Sequence, residues 1–127
     1  MHQDQIELFR KRSKNFLDIA KDRLKKKDWD LTCFMAEQSV QLLLKAVILE
    51  KKNEFPRTHS IRQLISILND LIEEKINYER KFLSFLENAY YNSRYIDYDY
   101  NEQDAKDALK IAEDVIKLVE NVRKYEK

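Results

Sequence analysis

The longest apolar pattern in the chain is residues 31–49, LTCFMAEQSVQLLLKAVIL, in which hydrophobic side chains occupy most of a helical circumference. A helix with this pattern is packed on several sides, so we expect it to form the centre of the fold. Asp28 or Asp30 is able to cap its first turn. Pro56 follows in the polar segment KKNEFPRTH (residues 51–59), where it prevents the helix from continuing.

The segments on either side of this helix also carry helical patterns. Residues 3–27 repeat apolar side chains at the helical spacing, with Lys and Arg between them. Ser60 and Gln63 form a capping-box pattern at the start of a third, shorter helix.

The C-terminal part of the sequence predicts two further helices. One begins near Tyr78 and ends around Arg94, where the sequence becomes RYIDYDYN. Asn101 with Asp104 is able to cap the last helix, whose apolar period continues nearly to the end of the chain. The sequence therefore predicts one all-α domain over residues 1–127, a five-helix up-and-down bundle.

Composition excludes several functional classes. The chain has no glycine and one proline, which rules out the Gly-rich loops of Walker-type and dinucleotide-binding sites. One cysteine and two histidines cannot assemble a tetrahedral zinc site, and we expect neither a metal nor a cofactor. Cys33 lies among apolar residues, which favours an inert buried thiol over a nucleophile.

The N-terminal region bears on location and charge. Residues 1–14, MHQDQIELFRKRSK, lack the apolar run of a signal peptide, and no apolar stretch approaches the ~20 residues of a membrane span. We therefore predict a cytoplasmic protein with no membrane partner. Residues 1–27 hold nine Lys and Arg against four Asp and Glu, which favours a solvated basic helix face over a phosphate-binding patch.

A candidate site follows from the predicted topology. Short connections make consecutive helices antiparallel, so the ends of the second and fourth helices should meet the starts of the third and fifth. The two polar loops would then lie together, although they are far apart in sequence. The polar residues that we expect to converge there are Arg57, His59, Arg94, Tyr95, Asp97 and Tyr98.

The segment YYNSRYIDYDY (residues 90–100) holds five of the seven tyrosines of the chain. Tyrosine rings stack on bases and Arg94 offers a planar fork to phosphate, so the segment is suited to nucleotide recognition. The alternative is that these tyrosines anchor a loop or a dimer contact. The two aspartates of the segment repel phosphate unless a cation compensates them.

His59 has a catalytic and a structural interpretation. Its ordinary pKa of ~6.5 suits general acid–base chemistry, and a neighbouring Arg94 would bind phosphate. A complementary acid is missing, however, because no second histidine or lysine stands nearby in sequence. The structural interpretation is therefore favoured.

Three polar residues of the central helix, Glu37, Gln41 and Lys45, follow one another at intervals of four and share one face. We expect this stripe to be the solvent-facing strip of the helix. The alternative is that it faces a groove or another subunit. A two-carboxylate metal or glycosidase site is poorly supported, because no second acidic residue shares an apolar face with Glu37.

Three blocks of the sequence, in order and helical placement, resemble the HEPN domain. They are AEQSVQLLLKAVIL (residues 36–49), THSIRQL (58–64) and AYYNSRYID (89–97). The resemblance implies a small helical bundle that is commonly dimeric and often encoded beside a minimal nucleotidyltransferase. Some members bind nucleotides or RNA, whereas others are metal-independent ribonucleases or toxins.

The resemblance also assigns residues to family motifs. The ribonuclease members carry an Arg followed closely by a His at the end of the fourth helix, and this chain has no histidine after Arg94. Ile96 also stands where the family usually has proline. The family's A-E-Q, His-Ser and R-Y-x-D motifs fall on Ala36, Glu37 and Gln38, on His59 and Ser60, and on Arg94, Tyr95 and Asp97.

The residues and the resemblance together predict a nucleotide- or RNA-binding, homodimeric module that works with a minimal nucleotidyltransferase, and the missing histidine after Arg94 favours binding over catalysis. One alternative is a metal-independent ribonuclease toxin of a toxin–antitoxin pair, with His59 and Arg94 as catalytic candidates. Another is a non-catalytic interaction scaffold.

Overall fold

The computed structural model describes residues 2–92 and 98–125, with side chains as far as residue 122. Five helices, and no strand, occur within these ranges, which confirms the predicted all-α, five-helix fold. The helices are α1 (Gln3–Lys25), α2 (Trp29–Lys52), α3 (Ile61–Asn69), α4 (Arg80–Asn92) and α5 (Glu102–Tyr125).

Local signals in the sequence set the starts of three helices. Asp28 caps α2 by accepting a hydrogen bond from the Leu31 amide. The Ser60 hydroxyl accepts from the Gln63 amide at 3.2 Å and caps α3. Before α5, the side chain of Asn101 accepts from the Asp104 amide at 2.8 Å, and the Asp104 carboxylate accepts from the Asn101 amide at 3.0 Å.

Helix α2 is the centre of the fold, as its apolar circumference predicted. Its buried side chains join those of the other four helices in one hydrophobic cluster. By length and composition α2 could also cross a membrane, which the sequence analysis did not expect, but 72% of its most apolar window is buried within the domain. Such burial is typical of the core helix of a soluble protein, and the cytoplasmic location stays a prediction.

Ion pairs show the directions of the long helices. Arg10 and Lys21 of α1 pair with Glu120 and Glu113 of α5, so these helices are antiparallel. Helix α1 is also antiparallel to α2, because Ile6 near its start packs against Ala46 and Leu49 near the end of α2, whereas Ser13 further along α1 bonds Ser39 nearer the start of α2. Helices α2 and α5 therefore run parallel to each other.

The connection between α2 and α3 explains this parallel arrangement. After α2 ends, residues 53–60 return along it, so that His59 lies against Gln41 and Lys45 in the middle of the helix. Ile67 near the end of α3 lines the same groove as Ile48 of α2. Helix α3 therefore starts beside the middle of α2 and runs in the same direction. The first polar loop thus returns to the middle of α2, whereas the sequence placed it at the end of that helix.

Candidate functional site

The polar stripe of α2 lies inside the protein. Glu37, Gln41 and Lys45 are only 0%, 3% and 7% exposed, so the expectation of a solvent-facing strip is wrong. The returning segment that carries His59 covers this face of α2. A buried polar stripe requires internal hydrogen-bond partners, and each of the three side chains has one.

Gln41 is the centre of the hydrogen-bond network. Its Nε2 donates to Glu37 Oε2 at 2.7 Å, and its Oε1 accepts from Lys45 Nζ at 2.9 Å. The same Oε1 lies 2.8 Å from Nδ1 of His59. The second oxygen of Glu37 accepts from Gln38 Nε2, also at 2.7 Å. One amide therefore connects a buried carboxylate to an ammonium group and an imidazole.

Burial changes the acid–base properties of the stripe. Burial raises the pKa of Glu37 to about 7, although the hydrogen bonds from Gln38 and Gln41 oppose the shift. Burial also lowers the pKa of Lys45, and the charge of Glu37 partly counteracts this. The network thus contains a carboxyl group that titrates near neutral pH.

The imidazole of His59 is held from a second side by α4. It stacks on the ring of Tyr90, with 4.6 Å between the ring centroids and 17° between the planes. His59 as a whole remains exposed to solvent. Lys45 Nζ also lies 5.9 Å from the centre of the Phe55 ring, so aromatic groups flank both the imidazole and the ammonium. The result is an exposed imidazole that stacks on a half-buried tyrosine ring and is hydrogen-bonded to a buried glutamine amide.

A second buried carboxylate joins α3 to α4. Glu87 is 4% exposed and accepts hydrogen bonds from the Ser60 hydroxyl, the Arg62 amide and the Arg62 guanidinium, the last at 2.8 Å. Burial acts to raise the pKa of Glu87, but the hydrogen bonds from Arg62 and Ser60 outweigh it and lower the pKa. This contact holds the start of α3, next to His59, against α4.

A protein-family comparison assigns the fold that carries this site. The model of the HEPN domain matches residues 6–122. The chain belongs to the HEPN domain family. Its resemblance to that family is thereby confirmed.

Two solved structures share the HEPN fold with this chain. The crystal structure of TT1696 from Thermus thermophilus is similar with a TM-score of 0.74 and 23% identity, over 92% of this chain and 97% of that one. The structure of ST0689, described as an archaeal HEPN homologue, gives a TM-score of 0.70 and 23% identity, over 91% and 95%. No curated protein matches the chain. These likenesses show the fold alone.

Two of the HEPN motifs meet in the polar network. The family resemblance places Glu37 and Gln38 in the A-E-Q motif of α2, and His59 and Ser60 in the His-Ser motif before α3. Gln41, which the motifs do not include, connects them through its amide. The third motif, with Arg94, Tyr95 and Asp97, lies outside the described residues.

The other predicted site residues occupy different surroundings. Arg57 lines a groove of about 750 Å³ beside Lys52, Glu54 and Phe55. Tyr98 is 44% exposed and packs against Tyr100, with 4.7 Å between ring centroids. The structure thus places His59 in the network, Arg57 in the adjoining groove and Tyr98 shortly before α5.

Within the tyrosine-rich segment, Tyr100 has a structural role. It is buried, its amide donates to Asp30 at the start of α2, and its hydroxyl accepts from Asn92 at the end of α4. These contacts fit the loop-anchor interpretation for this tyrosine. Cys33 is fully buried and burial raises the pKa of its thiol, as expected of an inert cysteine.

Sequence reasoning missed Tyr90 as the partner of His59 and Glu87 as the acceptor for Ser60. The spacing of Glu37, Gln41 and Lys45 did show that they share a face. The sequence did contain a signal that this face is buried, because the remaining surface of the helix is almost wholly apolar.

Proposed function

We propose that this HEPN domain binds a nucleotide or RNA at the surface formed by His59 and Tyr90. The observation that carries the proposal is the stacked, solvent-exposed imidazole held above a buried amide and ammonium group. Aromatic rings of this kind stack on unpaired bases, and histidine is among the residues used for it.

Cationic groups near this surface support the choice of a phosphate-bearing ligand. Lys45 Nζ lies 3.4 Å from His59 Nδ1, and Arg57 stands two positions earlier in the same segment. We assign Arg94 as a phosphate clamp, with Tyr95, Asp97 and Tyr98 as further contacts of the nucleotide. A planar guanidinium binds phosphate with two parallel hydrogen bonds.

Calorimetric titration with ATP, GTP and a short single-stranded RNA tests the proposal. We expect binding by the wild type and a clear loss of affinity in His59→Ala and Arg94→Ala. His2→Ala and Arg12→Ala are the matched controls, because each removes the same type of side chain from α1 or its start. Equal binding by wild type and both site variants, or no binding at all, would contradict the proposal.

We also propose that the domain acts as a homodimer together with a minimal nucleotidyltransferase. This part rests on the family resemblance alone. The apolar surface of α2 is covered within the domain and does not itself call for a second copy. Light scattering at micromolar concentration should give twice the mass of the chain. A monomer mass would contradict the proposed homodimer. Failure of a co-expressed nucleotidyltransferase to co-purify would contradict the proposed partnership.

A second candidate is metal-independent RNA cleavage, for which the oriented imidazole of His59 is the favouring observation. A histidine held in one orientation is able to take a proton from a ribose hydroxyl, with Arg94 binding the phosphate. Cleavage of RNA in the presence of a chelator, lost in His59→Ala, would support this activity. Intact RNA after long incubation would exclude it.

A further inference from the structure

We propose that Gln41 and Glu37 are positioning residues that hold the His59 imidazole in its Nδ1–H tautomer, so that Nε2 is the acceptor nitrogen of the ring. The proposal deepens the proposed ligand-binding role of His59, and its consequence for binding rests on that role. The tautomer itself is a property of the free protein.

The first step is the orientation of the Gln41 amide. Above its pKa of about 7 Glu37 is ionised and only accepts hydrogen bonds, and it lies 2.7 Å from the Gln41 amide group. The amide must therefore direct its NH2 group towards Glu37. Lys45 leads to the same orientation independently, because an ammonium group only donates and requires Oε1 of Gln41 on its side.

The second step carries this orientation to the imidazole. Gln41 Oε1 is an acceptor, so the Nδ1 atom of His59, 2.8 Å away, must supply the hydrogen. A neutral imidazole has a single N–H group, which leaves the lone pair on Nε2. Lys45 lies 3.4 Å from the same Nδ1 and donates to the amide oxygen instead.

The third step is that the ring is fixed in two independent ways. Stacking on Tyr90 fixes the plane of the imidazole, and the hydrogen bond to Gln41 fixes its rotation within that plane. Glu37 and Gln41 are both buried, so water does not compete for their hydrogen bonds. The imidazole is therefore already oriented before a ligand binds, which lowers the entropic cost of binding.

Nuclear magnetic resonance of the protein labelled with 15N-histidine tests the proposal. Two-bond correlations between ring hydrogens and nitrogens distinguish the two tautomers. The spectrum is recorded at about pH 8, above the ordinary histidine pKa of ~6.5. We expect the ring hydrogen of His59 to lie on Nδ1, towards Gln41 Oε1. A wild-type spectrum with hydrogen on Nε2 of His59 would overturn the proposal without any variant.

Two variants test whether Gln41 and Glu37 determine the tautomer of His59. In Gln41→Met, which keeps the length of the side chain, His59 should change to a mixture of the two tautomers. In Glu37→Gln only Lys45 still imposes the orientation of the Gln41 amide, so a smaller change in the tautomer of His59 is expected than in Gln41→Met. Glu113→Gln on the surface of α5 is the matched control. An unchanged His59 spectrum in folded Gln41→Met would contradict the positioning role.

Ligand titration separates this inference from the proposed function. If the free protein shows the expected tautomer but neither nucleotide nor RNA binds, the proposed function fails and the positioning of the ring stands. If the ligand binds, Gln41→Met should weaken binding by about tenfold, the loss expected for one hydrogen bond. Loss of binding in His59→Ala with unchanged affinity in Gln41→Met would show that the tautomer does not matter for the ligand.

Discussion

Glu37 on α2 and Glu87 on α4 are both buried carboxylates, and their pKa values shift in opposite directions. Burial raises the pKa of Glu37 to about 7. Burial also acts on Glu87, but there the contacts with Arg62 and Ser60 outweigh it and lower the pKa. The difference lies in the partner, because Glu87 touches a guanidinium directly whereas Gln41 stands between Glu37 and Lys45.

The comparison separates a carboxylate that stays charged from a carboxyl group whose protonation changes near neutral pH. The ion pair of Glu87 keeps its charge at neutral pH and joins two helices. Glu37 gains and loses its proton near neutral pH, and it does so within the network that holds His59. Glu37, whose hydrogen-bond donors are neutral amides, is thus the group of the candidate site whose charge changes near neutral pH.

The largest expected effect concerns Glu37→Gln. Between pH 4.5 and about 7 the folded protein binds more protons at Glu37 than the unfolded chain, so the free energy of unfolding falls as the pH rises. The shift corresponds to about 3 kcal/mol. Urea denaturation at several pH values measures this. From acid to mildly alkaline pH, the free energy of unfolding of the variant should rise by up to about 3 kcal/mol relative to that of the wild type. A constant difference across this range would contradict a raised pKa, and Glu113→Gln serves as the exposed control.

Glu87→Gln should show the opposite pH dependence. The lowered pKa means that Glu87 stabilises the fold above pH 4.5 and that this contribution is lost as the pH falls through its folded pKa. We expect a loss of about 2 kcal/mol at neutral pH, since hydrogen bonds to a charged group are weakened. Denaturation at neutral and acid pH measures it. An equal loss at both pH values would show that Glu87 is not ionised in the folded protein.

Ser60→Ala removes one donor to Glu87 together with the cap of α3. A loss of about 1 kcal/mol is expected, the usual value for an N-terminal cap. Ser66→Ala, at an exposed position of the same helix, is the control and should leave stability nearly unchanged. Thermal unfolding of both variants compares the two positions, and equal midpoints would argue against the cap.

The smallest effect is expected at a carboxylate on the surface. Glu120 pairs with Arg10 through two hydrogen bonds, and its side chain is 41% exposed. Glu120→Gln should cost less than about 1 kcal/mol, and the difference should decrease in high salt. Urea denaturation at low and high salt measures both. A larger, salt-independent loss would place this pair with Glu87 rather than with exposed ion pairs.

The parts of the fold that sequence predicted are those with local signals. Ser60 with Gln63, and Asn101 with Asp104, are spaced within one helical turn, so the caps could be recognised without knowing the tertiary structure. The continuous apolar pattern of α2 likewise identified the central helix. In each case the cause of the structure lies within a few residues.

The parts that sequence did not predict depend on contacts between distant residues. Periodicity showed that Glu37, Gln41 and Lys45 share a face, but what covers that face is set by His59 and its segment. The acceptor for Ser60 lies 27 positions away at Glu87, in a stretch with no distinguishing pattern. Short connections suggested alternating helices, and nothing local indicated that the polar loop returns along α2.

That return gives the loop between α2 and α3 an unusual constraint on its length. Surface loops commonly accept insertions and deletions. Here Ser60 and Arg62, directly after His59, are held by Glu87, so an added residue of up to ~3.3 Å has to be accommodated between Lys52 and His59, along the face of α2. The number of residues in this short stretch therefore decides whether the imidazole still reaches Gln41.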